Sequence, residues 1–573
     1  MEAKSFENDP DMGLTTADSI SEEKRAVADE HVQIETKRGL SARHIQLITI
    51  AGGIGVGLFV GIGGVLSKAG PINVVLGYLF YSCAFIWPIT LNMAEMVSWL
   101  PIRGSIYELA SRFVDPALGF SMGWTYFFAG AMMVCTEYSA VATVVQYWDT
   151  SINPAVWVAI VIAVCYFLNM VAVKWYGEAE FLMSSTKVLL LIGLIFLTFI
   201  TMVGGNPKKD VYGFRHWTDG NAMHSYYAPG PTGRFLGFWI SARYAAFTVG
   251  GPDIIALSAG EIQNPRRVIP KVARMVVQRI VLFYIVGVVA VGIICPSRDS
   301  RLLGAISSGE GSATASPWVI GILKLGIGGF LPGLINALIL LSGWSCGNAF
   351  LYSSSRTLYS LAKDGHAPKI LLKCNKAGVP WVAVTAVTAI TFLTFLVSSN
   401  QASQVFQWFL ELTTVSMVVN ATSMSWAYLG WYRALKAQGI ARVTKKNADK
   451  ATRGIVFPYL APFSIYTACL SLVIGCSIMI FIGFDYFVPW STRGFITSYF
   501  GLAWFWVMFF FWKIFKRTRF VNPAEVDIFA GGLKHAIDEE CKHWEDGFWQ
   551  EREKERRASL NVFMRAWDNI WGR

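Results

Sequence analysis

The sequence predicts an all-α integral membrane protein of twelve transmembrane helices, and three observations carry that expectation. Apolar residues make up 54% of the 573-residue chain and charged residues only 15%, against about 25% charged in soluble proteins. The apolar residues fall into runs of about 20, long enough to cross a bilayer as helices. The 49 Lys and Arg exceed the 38 Asp and Glu by a net +11, and the excess gathers in the links between runs. A chain this apolar is neither an ordinary soluble enzyme nor a nucleic-acid-binding domain.

Residues 1–40 are polar and rich in acids (Glu2, Glu7, Asp9, Asp11, Asp18), with no basic stretch followed by an apolar core. They read as a disordered cytosolic tail rather than a signal peptide. A transporter domain is expected over 41–515, with spans near 45–66, 75–97, 120–147, 155–173, 186–204, 236–257, 279–296, 320–352, 381–398, 405–431, 462–484 and 494–515. An even number of crossings puts both ends on one side. The links holding Arg266, Arg267, Lys271 and Arg274, then Arg356, Lys363 and Lys369, then Arg433, Arg442, Lys445 and Lys446 are strongly basic, so this side is expected to be cytosolic. Residues 516–573 form the second cytosolic tail, and the run Glu551–Arg557 suits a solvated helix. Cytosolic trafficking factors are the partners expected at the tails. Cys83, Cys135, Cys165, Cys346, Cys469 and Cys476 sit inside apolar runs and read as packing residues. No spacing points to a metal site or a disulfide framework. The Asn420 sequon falls inside a span.

Two spans are interrupted. Span 1 contains Gly52-Gly53-Ile54-Gly55-Val56-Gly57, and span 6 contains Gly250-Gly251-Pro252-Asp253. Gly and Pro disfavour a continuous helix, and backbone opened within a membrane is tolerated only where it lines a cavity or packs on protein. The breaks lie five spans apart, and a five-span repeat is inverted in its second copy. Interrupted helices at matching positions of inverted repeats mark a transporter's binding site near the bilayer midplane. Close helix packing through small residues is the competing reading.

Four pieces of the chain resemble fungal plasma-membrane amino-acid permeases of the amino acid–polyamine–organocation (APC) superfamily. They are Gly52-Gly53-Ile54-Gly55-Val56-Gly57-Leu58-Phe59; Gly123-Trp124-Thr125-Tyr126 with Glu137; Ala259-Gly260-Glu261 with Asn264-Pro265-Arg266-Arg267; and Ser355-Arg356-Thr357-Leu358-Tyr359 with Asp364-Gly365-His366-Ala367-Pro368. The resemblance implies a LeuT-type fold: 5+5 inverted repeats over about 45–204 and 236–431, plus two C-terminal helices within 462–515. It implies a secondary active transporter working by alternating access, a proton symporter importing amino acids, with no cofactor beyond the proton gradient.

The same resemblance puts the substrate carboxylate at the span-1 backbone of Gly53, Ile54, Gly55, Val56 and Gly57. Freed N–H groups and the positive end of a half-helix favour an anion there. Phe247, Val249, Gly250 and Gly251 in span 6 are expected to meet the ammonium and side chain of a zwitterionic or cationic substrate. Glu137 is a carboxylate in mid-span, expensive and hence a functional candidate: a partner for an ammonium, a proton carrier, or a structural partner. Asp253 stands where the family has Glu, and Arg243 lies across the break, able to pair with a carboxylate or face an outer vestibule. Lys187 opens span 5; the resemblance makes it a proton-coupling candidate with Glu137, although a Lys at a span end also snorkels. Gly53 and Val56 replace two family Thr, and Ala421 stands at a family Trp position, departures that leave more room and fewer hydroxyls. A transporter or regulator of carnitine, polyamines or other organic cations is therefore the alternative, and a nutrient-sensing receptor the third reading. An enzyme is not expected: no nucleophile–base pair is visible, and Arg298-Asp299-Ser300 and His366 fall in loops without evident partners.

Overall fold

The computed structural model describes residues 52–545, apart from 103–104, 172, 219, 221, 251, 258, 260–261, 308–315, 376–377 and 453–454, and further describes 551, 554–556 and 558–561. The N-terminal tail, the first residues of span 1, Gly251, Gly260 and Glu261 lie outside the described residues. Among the described residues the chain is helical, with no strand.

After a short turn at Val56–Leu58 come α1 (Ile62–Ala69), α2 (Pro71–Trp99), α3 (Ser105–Phe113), α4 (Pro116–Val145), α5 (Pro154–Val171) and α6 (Val173–Met202). The second half holds α7 (Gly230–Thr248), α8 (Pro252–Leu257), α9 (Pro265–Ile280), α10 (Val286–Ile294), α11 (Ser300–Ser307), α12 (Pro317–Lys324), α13 (Phe330–Lys363), α14 (Trp381–Thr391) and α15 (Ala402–Ala437). α16 (Ser464–Phe481), α17 (Thr492–Phe515) and α18 (Leu533–Glu545) close the described chain. Proline at the first helical position starts α2, α4, α5, α8, α9 and α12, where its missing N–H costs nothing. Asp115 caps α4 by accepting the Ala117 N–H at 2.8 Å. At the end of α13, Gly365 takes φ +74° and the His366 N–H reaches back to the Leu361 carbonyl at 2.8 Å. The Asp-Gly of that motif is thus a helix stop.

Seven helices are long and apolar enough to cross a membrane, and three shorter apolar ones accompany them. α7 and α15 are long but carry more polar residues. α4 is the central post, packed most extensively on α13 and α15, while α7 lies along α2. The outer surface is apolar: Phe167, Leu189, Phe196, Val473, Val507 and Ile514 are all exposed. A soluble protein would not show so broad an apolar face to water, and the chain is a multi-pass membrane protein.

Three expectations need correction. Span 8 begins at Phe330, because Gly326 and Gly329, at φ +82° and +74°, turn the chain after the separate α12. α6 begins at Val173, so Lys187 lies in the middle of a helix rather than at its opening. Cys469 and Cys476 are exposed on α16 rather than packed inside. Asn420, as expected, is buried within a helix.

Candidate functional site

The two interruptions form as the glycines require. Gly55 is extended (φ −109°, ψ −164°) before the turn Val56–Leu58, and α7 ends at Thr248 before α8 restarts at Pro252. Between them lies a cavity of about 60 Å3. Gly53, Gly55, Gly57, Glu137, Phe247, Val249, Gly250 and Asp253 line it. Ile54 and Val56 do not: both are buried, and the Val56 side chain faces Gly343 of α13.

Glu137 is buried, and its Oε2 accepts the Val56 N–H at 3.2 Å. One of the donors freed at the start of the turn is therefore held by the protein's own carboxylate. A methyl carbon added at Gly55 would lie 2.0 Å from Glu137 Oε1, and one at Gly57 would lie 2.7 Å from the Phe247 ring. These two glycines are close-approach positions. The other side of the break is fastened by neighbours: the Tyr284 hydroxyl donates to the Gly53 carbonyl, Ser342 to Ile54 at 3.3 Å, and Tyr244 to Gly57 at 2.8 Å. Lys187 is 1% exposed and close enough to act electrostatically on Glu137 and Cys346. Burial at mid-helix replaces the snorkelling expected of a span end.

The remaining wall is largely apolar, with Met133, Phe350, Met417, Ala421 and Met424. Asn420, a lining residue from α15, was missed as a functional candidate. Its Nδ2 donates to the Ser416 carbonyl at 3.2 Å, while its Oδ1 is buried without a partner. Such an acceptor costs energy unless something donates to it. Sequence reading treated Asn420 only as a glycosylation motif. Its place in an apolar run was the signal that could have found it.

Phe247 separates this cavity from a wider one of about 450 Å3, on whose side Tyr244 and Phe406 pack against it at ring distances of 6.2 and 6.4 Å. The wider cavity holds the charged side chains of Lys68, Arg243 and Glu411. Arg243 does both things open to it: it lines this vestibule, and it pairs with Asp485 at 2.9 Å and with Glu411 at 3.7 Å. Tyr486 and Thr497 also donate to Glu411.

Two other buried acids were missed. Glu95 in α2 accepts from Arg442 Nε at 2.8 Å, Tyr428 at 2.8 Å and the Ala461 N–H at 2.9 Å. Glu180 in α6 accepts from Ser345 at 2.5 Å, and Asn348 beside it accepts from Asn169 at 2.8 Å. Both knit helices together away from the cavity. The loop residues read as lacking partners have them: the His366 ring packs on Phe120 and Trp512, its carbonyl accepts from Trp124, and Asp299 pairs with Lys324. Long-range contacts of this kind leave no local trace. Among the described residues no cluster could hold a metal ion.

The family model described as "Amino acid permease" matches residues 44–523. The chain is 38% identical over 520 residues to a proline-specific permease of Emericella nidulans, covering 90% of this chain and 91% of that one. It is 36% identical over 521 residues to a proline-specific permease of Saccharomyces cerevisiae (89% and 80% covered). It is 34% identical over 540 residues to a lysine-specific permease of the same yeast (92% and 84%).

Proposed function

The chain belongs to the amino acid permease family, and from that premise we propose that it imports a small, compact amino acid, proline foremost, across the plasma membrane by proton symport. It is a permease rather than an enzyme, with an amino acid as cargo and lipid as its surroundings. One observation carries the finer reading: two interrupted helices and the buried Glu137 wall a single small cavity. The volume of about 60 Å3 and the methionine- and phenylalanine-rich wall favour a compact, weakly polar cargo over a polyamine or carnitine. Similarity to two proline-specific permeases points the same way.

In this reading the cargo carboxylate meets the backbone at Gly55 and Gly57. Its ammonium meets Asn420 Oδ1 and the carbonyls near Val249 and Gly250, and Phe247 covers it. Glu137 and Lys187 couple the proton, since loss or gain of charge beside the span-1 break changes how that break is held. Twelve crossings in LeuT-type inverted repeats, with both ends cytosolic, suit the helix order. The wide π-helical turns at Tyr81–Ile86 and Val281–Ile285 support the repeat, for they fall in the second span of each half. Alternating access then moves the cavity between the Phe247 side and the opposite side.

Radiolabelled uptake in a host lacking its own permeases tests this, with all amino acids, carnitine and polyamines offered. Saturable proline uptake, competed by proline but not by carnitine and collapsed by a protonophore, is the expected result. Glu137→Gln is expected to lower it about tenfold or more while reaching the membrane normally. Uptake indifferent to the protonophore would overturn the coupling, and failure with every amino acid would overturn the cargo.

A further inference from the structure

Two tyrosines outside the cavity join its two interrupted walls. Tyr78 belongs to α2, the helix after the first break. Tyr284 belongs to the π-helical turn Val281–Ile285 between α9 and α10, after the second break. Each reaches across to the break that precedes the other. The Tyr284 hydroxyl donates to the Gly53 carbonyl in span 1. Tyr78 Oη accepts from the hydroxyl of Thr248, the last residue of α7, at 2.9 Å. The two tyrosine rings stack, with centroids 6.4 Å apart and planes inclined at 28°. Thr248 closes the circuit, because a methyl carbon added at Gly57 would lie 2.9 Å from Thr248 Cγ2. The opened backbone from Gly53 to Gly57 is thus enclosed by contacts that pass through both breaks.

Both rings are buried and neither lines the cavity, so they act on a cargo only through the backbone they hold. A tyrosine carries its hydroxyl on a rigid ring with few rotatable bonds, and offset stacking favours a defined ring geometry. The spacing of the two breaks is therefore held by rings rather than by flexible chains. Wide π-helical turns recur at functional sites; one holds Tyr284, and the other, Tyr81–Ile86, follows closely after Tyr78.

That spacing has a chemical meaning under the proposed function, on which the inference rests. The cargo carboxylate meets the span-1 backbone, and its ammonium meets the carbonyls near Val249 and Gly250, directly after Thr248. In an α-amino acid a single carbon separates the two charged groups. Placing the carboxylate one carbon further away adds about 1.5 Å, and a misplacement of about 1 Å can cost about a hundredfold. We propose that Tyr78 and Tyr284 are positioning residues that set the distance between the two interrupted helices, and thereby make the cavity select α-amino acids against their β-isomers.

The test compares proline with its isomer pyrrolidine-3-carboxylic acid, which has the same atoms and moves only the carboxylate. Labelled proline uptake is measured in a host lacking its own permeases, with each compound as competitor, beside the surface amount and melting temperature of each variant. Alanine and β-alanine repeat the comparison for an open-chain cargo. The parent is expected to take the β-isomer about a hundredfold less well. Tyr284→Phe, Tyr78→Phe and Thr248→Val each remove one hydroxyl from the circuit with little change in volume. Each is expected to raise KM about fivefold at unchanged Vmax per surface molecule, and to cut the discrimination about fivefold or more. A role in folding alone would lower the surface amount and the melting temperature, and leave KM and the discrimination as in the parent. That pattern, or a parent that takes both isomers alike, overturns the inference while amino-acid import stands. No uptake of any amino acid by the parent overturns the proposed function, and this inference with it.

Discussion

Gly55 occupies a place where no side chain fits, and its neighbour Gly53 does not. An added methyl carbon meets Glu137 Oε1 at 2.0 Å at Gly55, but only the Tyr284 hydroxyl at 3.5 Å, an ordinary contact, at Gly53. Gly55→Ala must push the carboxylate away and leave the Val56 N–H without its acceptor, a loss of about 1–3 kcal/mol. It is expected to lower the melting temperature of the purified protein and to abolish uptake, while Gly53→Ala retains most of both; equal effects would mean that the Glu137 contact is not what requires the glycine. At this scale the sequence was informative where chemistry is rare. A carboxylate in mid-span and glycines in a helix stand out, and eight of the residues they pointed to share one cavity. Val56 and Ile54 do not line the cavity, because the direction of a side chain at a break is decided by φ and ψ, not by residue type. Asn420 escaped notice because a short amide among apolar residues resembles ordinary helix packing until its unpaired oxygen is seen.

Among the elements, α7 has the most consequential attachments. Arg243 joins it to the α16–α17 connection through Asp485 and to α15 through Glu411, in a pocket where the Arg243 and Asp485 side chains are 15% and 7% exposed. Removing one partner of a buried pair strands the other, at about 3–5 kcal/mol. Arg243→Ala and Asp485→Ala are each expected to destabilise strongly, whereas the double variant costs less than their sum. A coupling below about 0.5 kcal/mol in a thermal or denaturant double-mutant cycle would show that the pair does not fasten α7. Helix existence and order were legible, since long apolar runs admit little else in lipid. Helix beginnings were less so. α6 begins at Val173, ahead of the apolar window that marks it, and within that early stretch Ser345 and Asn348 of α13 donate to the buried Glu180, a polar contact that hydropathy does not register.

For the molecule as a whole, orientation follows from where the positive charges lie. Cys374 is exposed in the basic stretch after α13, which the charge pattern assigns to the cytosol. A membrane-impermeant maleimide is expected to label it only after permeabilisation, with Cys374→Ser as the control; labelling in intact cells would reverse the topology. Arg442 adds a qualification, because it serves Glu95 inside the protein as well as the charge asymmetry. Contacts that join residues hundreds of positions apart, such as Trp124 with His366, could not be read from the chain, since no local period encodes them. The hold of Glu137 on the Val56 amide also bears on the direction of flux. An unloaded carrier must recross with its core emptied, and an exposed backbone donor would make that return slow and favour one-for-one exchange. With cargo bound as proposed, Glu137 keeps one donor of the same break satisfied when the cargo leaves, and net uptake into proteoliposomes with an empty lumen is the expected outcome.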